Sequence, residues 1–424
     1  MRNFILFLLI LVSAIYFQAK SEAYDYPLLN EYAATIIGTP EEYKAMLPDN
    51  IRIKNMKLTV FRDREIPEVF WYEDKLRYSL VYQKVKAPLI WIIAGTGAGY
   101  NASKMQILQK AFFQAGFHVI SLTSPTHPNF IVSASSTMVP GHIVNDSKDL
   151  YHVMELIWEK VKDSIDVSEF FLTGYSLGAA QAAFVSKIDE DKRSFNFRKV
   201  YMINPPVNLY NSVYILDHML KDTIEDINSF WTKMTSKFAE EYVEADFIEF
   251  NNEFFYNIYK KKNPPEEKME ALIGLSFRIS SMNMFFATDV MTNAGYIIPK
   301  NLVLTSYSSL TDYFKVCGRT TFTDYFNDIF YPYYHSAQPD LTKKSLISTS
   351  MSLKSIEDYL KNAKKIRVVH NKDDIILKTG EIDFFRRVFG DRAKIYPRGG
   401  HCGNMAYKDN IAYMIDFFKP EGVR

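Results

Sequence analysis

Residues Phe170–Phe184 read FFLTGYSLGAAQAAF: an apolar run passes through Gly174-Tyr175-Ser176-Leu177-Gly178 straight into an alanine-rich stretch, with no loop between them. The first part has the composition of a strand buried on both faces, and Leu177–Lys187 reads as a helix. So abrupt a strand-to-helix turn holds Ser176 in strained backbone geometry. Side chains two positions before or after it would collide, which is why Gly174 and Gly178 stand there. Ala179 and Ala180 let the helix lie close to the sheet. A strand followed at once by a helix is half of a βαβ unit, and such units imply a parallel sheet covered by helices.

The flanking sequence keeps that rhythm. Strands are expected at Ile51–Arg62, Arg77–Lys84, Pro88–Ala94, His118–Ser124 and Val200–Asn204, and helices at Ser103–Ala115 and Asp146–Val161. Gly95, Gly97 and Gly99 mark a tight loop after the third of these strands. After Pro205-Pro206 the rhythm breaks, and helical periodicity continues with no convincing buried strand. It resumes with strands at Ile366–His370 and Ala393–Tyr396 and helices at Ile382–Phe389 and Asn410–Phe418. The expected fold class is α/β, a mostly parallel twisted sheet with helices on both faces and a large helical insertion. The sheet would be built from residues 24–206 and 362–424, and the insertion from 207–361.

The first 23 residues stand apart. Arg2 precedes an apolar stretch, Phe4–Phe17, that falls short of the roughly 20 residues of a membrane span, and Ser21-Glu22-Ala23 presents small residues where a signal peptidase reads. The expectation is a signal peptide cleaved after Ala23 and an exported protein, periplasmic or extracellular, with an uncleaved N-terminal anchor as the alternative. Cleavage would remove Arg2, Lys20 and Glu22 from 50 basic and 49 acidic residues, leaving 48 of each. That balance argues against nucleic acid as a partner. Asp373-Asp374 and Asp189-Glu190-Asp191 lack the spacing of a calcium loop, so no metal is expected, and the second cluster reads as a solvated turn. Two cysteines, Cys317 and Cys402, cannot make a disulfide framework; they either pair or serve as small buried apolar residues.

A serine hydroxyl needs a base, and the base needs a carboxylate to orient it. Both occur in the resumed sheet, each in the loop after a strand: Asn371-Lys372-Asp373-Asp374, then Gly399-Gly400-His401-Cys402-Gly403. Ligands and catalytic groups collect at that end of a parallel sheet. His370 reads as structural, and His118, His127, His142, His152, His218 and His335 have no comparable placement.

With this G-x-S-x-G motif and the chain order Ser, Asp, His, the sequence resembles the α/β-hydrolase superfamily, especially its lidded esterases, lipases and serine aminopeptidase-like members. The resemblance covers residues 51–206 and 360–424. It implies Ser176 as nucleophile, His401 as base and Asp374 as acid, since Asn371-x-x-Asp374 matches the family's Gly-x-x-Asp spacing with Asn in place of Gly; Asp373 is the alternative acid. It also implies an oxyanion hole from the N–H of Leu177 and an N–H of the Gly95–Gly99 loop, Thr96 or its rival Gly97, and no cofactor. The insertion falls where lids enter in this family.

The function implied is hydrolysis of a small-molecule ester or acyl substrate, lipid-like ones included, through an acyl-enzyme. Peptidase and thioesterase activity remain open, as does a catalytically inactive binding protein. Phe254-Phe255-Tyr256, Phe330–Tyr334 and Met282–Met291 are apolar clusters that would suit either an acyl pocket or the insertion's own core. Carboxylates such as Glu240, Glu241 and Glu244, offered to a substrate amine, would favour the peptidase.

Overall fold

The structure, a computed structural model, describes residues 24–221, 256, 259–262 and 264–419. The expected leader lies outside the described residues, as do Glu240, Glu241, Glu244, Phe254 and Phe255. Among the described residues no helix is long and apolar enough to cross a membrane.

Eight strands form one sheet: β1 (Lys54–Leu58), β2 (Leu76–Val81), β3 (Ala87–Ile93), β4 (His118–Leu122), β5 (Val167–Tyr175), β6 (Lys199–Ile203), β7 (Ile366–Asn371) and β8 (Ala393–Tyr396). Their order across the sheet is β1-β2-β4-β3-β5-β6-β7-β8. The first two pairings, β1 with β2 and β2 with β4, are antiparallel, and every pairing beyond them is parallel. The first expected strand shrinks from Ile51–Arg62 to β1, an edge strand with three of five residues exposed.

Alternate residues of the central strands feed two cores, as a period of two requires. Leu89, Trp91, Ile93, Leu172 and Met202 pack on one face with α3 (Ile143–Val161) and α4 (Leu177–Lys192). Ile90, Ile92, Phe171, Tyr201 and Ile203 pack on the other with α2 (Ser103–Gln114) and α10 (Lys408–Phe418). The expected sheet with helices on both faces is what the chain forms. Ahead of it, α1 (Glu31–Ile37), capped by the Asn30 side chain on the N–H of Ala33, lies with Tyr26 and Leu28 in a third, smaller core against Tyr407 and Met269.

The chain between β6 and β7 leaves the sheet through a narrow neck. Leu353 N–H donates to Val207 C=O at 2.9 Å and Leu209 N–H to Met351 C=O at 2.8 Å, so the outgoing and returning strands pair there. Two of its helices among the described residues, α5 (Leu209–Lys221) and α6 (Glu266–Thr292), touch at Gly274, where a Cβ would lie 2.5 Å from the Leu220 nitrogen. A buried ion pair pins them together. Arg278 Nη2 is 3.3 Å from Asp217 Oδ1, Arg278 also donates to Gly318 C=O at the end of α7 (Thr311–Arg319), and Asp217 Oδ2 accepts the N–H of Phe322 at 2.7 Å. The next helix, α8 (Glu357–Asn362), falls inside the expected insertion but buries Leu360 in the sheet's core beside α9 (Ile382–Phe389), so it packs with the sheet.

One expectation is corrected by the structure. Asp189 is not in a solvated turn: it lies buried within α4, where its carboxylate accepts from Tyr151 Oη and from the N–H groups of Phe195 and Phe197. The chain reverses at Arg193, in left-handed geometry, and folds those amides back onto it. Of the two readings left open for Phe330–Tyr334, an acyl pocket or a core, the run takes the second, and it also fastens the insertion to the segment before α3. Phe330 packs against Gly141, and the hydroxyls of Tyr334 and nearby Tyr325 donate to the carbonyls of Val139 and Pro140.

Candidate active site

Ser176 sits between β5 and α4 with φ 54° and ψ −128°, a backbone conformation that side-chain-bearing residues rarely adopt and that costs about 1–3 kcal/mol. Neighbours hold it there. Its N–H donates to Ile203 C=O at 2.8 Å, and its C=O accepts the N–H of Ala179 at 3.0 Å. A Cβ on Gly174 would stand 2.3 Å from the Gly178 oxygen, and one on Gly178 would stand 2.3 Å from the Ile93 oxygen. Both glycines are therefore sterically required by this turn.

The loops after β7 and β8 bring the carboxylate and the imidazole to the serine. His401 Nε2 lies 2.9 Å from Ser176 Oγ, and His401 Nδ1 lies 3.0 Å from Asp374 Oδ1. Nδ1–H donates to the carboxylate, which leaves Nε2 free to accept the serine proton. Asp374 is fully enclosed: Asn204 Nδ2 donates to Oδ2 at 2.8 Å and the Ile376 N–H to Oδ1 at 3.1 Å. Asp373 faces elsewhere, its two oxygens accepting the N–H groups of Gly399 and Gly400, each at 3.0 Å. Burial pushes the His401 imidazole down, but the Asp374 carboxylate against Nδ1 outweighs it and holds the group above its usual range. Burial likewise pushes Asp374 up, and the adjacent His401 pulls it below the ordinary carboxylate range.

Eight strands in this order, a serine on a positive-φ elbow after β5, a carboxylate after β7 and a histidine after β8 are the arrangement that the resemblance implied. The chain has the α/β-hydrolase fold. No family model matches the sequence, and no curated protein matches it. Solved structures of α/β-hydrolase type do align with it. A putative hydrolase from Legionella pneumophila is 11% identical, with 93% of this chain and 95% of that one covered, at a TM-score of 0.44. An esterase from Pyrococcus furiosus is 11% identical, covering 88% and 96%, at 0.41. An acylaminoacyl peptidase from Pyrococcus horikoshii is 12% identical, covering 89% of this chain and 43% of that one, at 0.41. None of these likenesses carries a substrate to this chain.

The loop after β3 closes through Ala98 N–H on Gly95 C=O (3.1 Å) and Gly97 N–H on Thr126 Oγ1 (2.7 Å). The Thr96 N–H enters neither bond. Leu177 opens α4, so its N–H has no acceptor within the helix. Thr96, Ser176, Leu177 and His401 all line one cavity of about 660 Å³. Its far walls are helical: Leu209, Val213 and Leu216 from α5, and Leu272, Ile273 and Ile279 from α6, each set at helical spacing. Lys104 and His401 are its ionisable nitrogen bases, and no Asp or Glu side chain lines it among the described residues.

The Met282–Met291 cluster does not reach this cavity. Phe285 stacks on Tyr325 and Phe286 on Phe314, Met284 is buried with them, and Met291 lies in a separate groove with Val60, Met138 and Leu156. The cavity face of α6 begins one to three turns earlier. Cys317 and Cys402 are both free and buried; Cys402 Sγ lies 3.9 Å from His401 Nε2, and Cys317 packs inside the insertion.

Two partners of the site lay outside the sequence reading. Asn204 ends β6 in left-handed geometry just before Pro205-Pro206, a position whose residue type is itself a signal. Thr35, far off in α1, carries no local signal at all; its Oγ1 accepts the His401 N–H at 2.8 Å. His370 is structural, as its place in the strand suggested: Nε2 donates to Pro205 C=O at 3.0 Å, and burial holds the ring below the usual histidine range.

Proposed function

We propose that this protein is a serine hydrolase that cleaves carboxylic esters through an acyl-enzyme, with Ser176 as nucleophile, His401 as general base and acid, and Asp374 as orienter. The observation that carries the reading is the unbroken hydrogen-bond chain from Ser176 Oγ through His401 to Asp374, opening on an apolar cavity.

His401 Nε2 takes the proton as Ser176 Oγ attacks the ester carbonyl, and Asp374 stabilises the imidazolium that forms. The carbonyl oxygen becomes an oxyanion facing the N–H groups of Leu177 and Thr96, each such donor being worth about 3–4 kcal/mol in well-studied cases. Gly97 is the poorer second donor because its N–H is already held by Thr126. Collapse expels the alcohol, which takes its proton from Nε2. Water, activated by the same nitrogen, then attacks the acyl-serine and returns the site to its starting state.

The walls supplied by α5 and α6 suit an acyl chain. The apolar character of these walls is what favours the ester over the aminopeptidase-like alternative; Glu240, Glu241 and Glu244, the carboxylates that would suit a substrate amine, lie outside the described residues. Thioester cleavage uses the same machinery and ranks behind it. Export with cleavage after Ala23 belongs to the same proposal; Tyr24 would then be the first residue, already packed in a stack on Tyr396.

A fluorophosphonate probe, followed by a panel of p-nitrophenyl esters and amino-acid anilides, tests the function. Ester turnover with labelling at Ser176 supports it. Anilide turnover alone transfers the assignment to the peptidase, and neither signal leaves the inactive binding protein.

A further inference from the structure

The segment that begins the described chain is fastened to the histidine loop at every level. Arg398 donates to Tyr26 C=O through Nε at 2.8 Å and to Tyr24 C=O through Nη2 at 3.0 Å, while Tyr24 Oη donates back to Arg398 C=O at 3.0 Å. Thr39 Oγ1 donates to Gly403 C=O at 2.9 Å. Two loop glycines press on α1 so closely that side chains are excluded: a Cβ on Gly400 would lie 2.3 Å from the Glu31 oxygen, and one on Gly403 would lie 2.1 Å from the Ala34 oxygen. At the centre of this contact is one hydroxyl. Thr35 Oγ1 donates to Glu31 C=O at 2.7 Å, one turn back in its own helix, and with its proton so placed it accepts the N–H of His401 at 2.8 Å.

We propose that Thr35 is a positioning residue for His401, and that α1 is therefore a working part of the site. The idea rests on the serine-hydrolase reading. The imidazole must reach Asp374 and Ser176 at once, at 3.0 and 2.9 Å. Asp373 and Asn371 hold the loop just before it, at Gly399 and Gly400, whereas the N–H of His401 itself goes to Thr35. The backbone of His401 is held by an acceptor from outside the sheet, in a helix 366 positions away in the chain. The groups facing the imidazole are Asp374 at Nδ1, Ser176 and Cys402 on the Nε2 side, and, behind the carboxylate, His370. Thr35 bears on none of their charges. Thr35 also lines the cavity, so the split between kcat and KM separates its hold on the His401 main chain from any contact with substrate.

The test compares Thr35→Val, which keeps the shape and removes the acceptor, with Thr35→Ser, which keeps the acceptor. Turnover is measured per fluorophosphonate-titrated site, so that any unfolded fraction drops out, and the His401 titration is followed by NMR, with His401→Gln providing the resonance assignment. The expected result is a five- to tenfold lower kcat in Thr35→Val, about the worth of one hydrogen bond, with KM within twofold and the His401 midpoint moved to lower pH. Thr35→Ser restores both. If Thr35→Val keeps wild-type kcat per site and the wild-type titration, or if serine fails to rescue, the proposal is overturned. Should the wild type neither label nor turn over, the hydrolase reading falls, and the titration alone then decides whether Thr35 holds His401: an unmoved midpoint in Thr35→Val removes this proposal too.

Discussion

Asp373 and Asp374 are adjacent in the chain but serve opposite sides of the histidine loop: Asp374 contacts the His401 imidazole, and Asp373 holds the amides of Gly399 and Gly400 just before it. One carboxylate addresses the ring and the other the backbone that carries the ring. Asp374→Asn should therefore lower kcat/KM by on the order of 10³–10⁴, because an amide leaves the ring in the wrong tautomer. Asp373→Asn keeps an acceptor oxygen and should cost far less, with part of the loss seen as a lower Tm. Kinetics of the two variants decide; the reverse ranking would move the orienting role to Asp373.

The pH dependence follows from the same pair. A general base must be neutral, and Asp374 stabilises the protonated imidazole, so its pKa is raised and activity is lost as pH falls through it. The acidic limb of kcat/KM should have its midpoint above 6.5, the ordinary histidine value. In the residual activity of Asp374→Asn that midpoint should fall. A midpoint that does not respond to Asp374→Asn would show that another group titrates in the limb.

Chain-length preference tests the cavity. With walls from α5 and α6, medium acyl esters should be preferred to acetate, each fully buried methylene adding roughly 0.8 kcal/mol, so that three extra carbons give up to about fiftyfold. Leu272→Asn or Val213→Asn should shrink the preference. Phe285→Ala, in the insertion's core, should instead cost about 3–5 kcal/mol of stability and leave the preference in place. Flat specificity from acetyl to octanoyl esters would contradict an acyl cavity.

How much of this could be read from the sequence depends on how local each determinant is. The elbow was legible because two oxygens, those of Gly178 and Ile93, exclude any side chain at Gly174 and Gly178, and that exclusion follows from a strand running straight into a helix. The buried strand β3 announced itself as an unbroken apolar run, and β5 and β7 through the shorter apolar stretches Phe170–Leu172 and Val368–Val369. The cavity face of α6 did not. Leu272 and Phe285 are equally apolar, and only the tertiary contact of Phe285 with Tyr325 sends it inward. Asp189 looked like a surface charge because its donors arrive from a reversal beyond the helix end. Thr35 was invisible for the same reason at longer range: nothing around EYAATII says which loop will lie on it.

Export gives a further prediction. Intact mass or N-terminal sequencing of the secreted protein should show Tyr24 first, whereas a full-length membrane-bound product would support the anchor.

The central claim is that Ser176 is the nucleophile of an ester hydrolase. Peptide mapping after fluorophosphonate treatment, run beside hydrolysis of p-nitrophenyl octanoate, measures both halves at once. The account predicts the phosphonyl adduct on Ser176, and in Ser176→Ala a folded protein that neither labels nor turns over above background. An adduct on another serine, or turnover by Ser176→Ala at the wild-type rate, would contradict it.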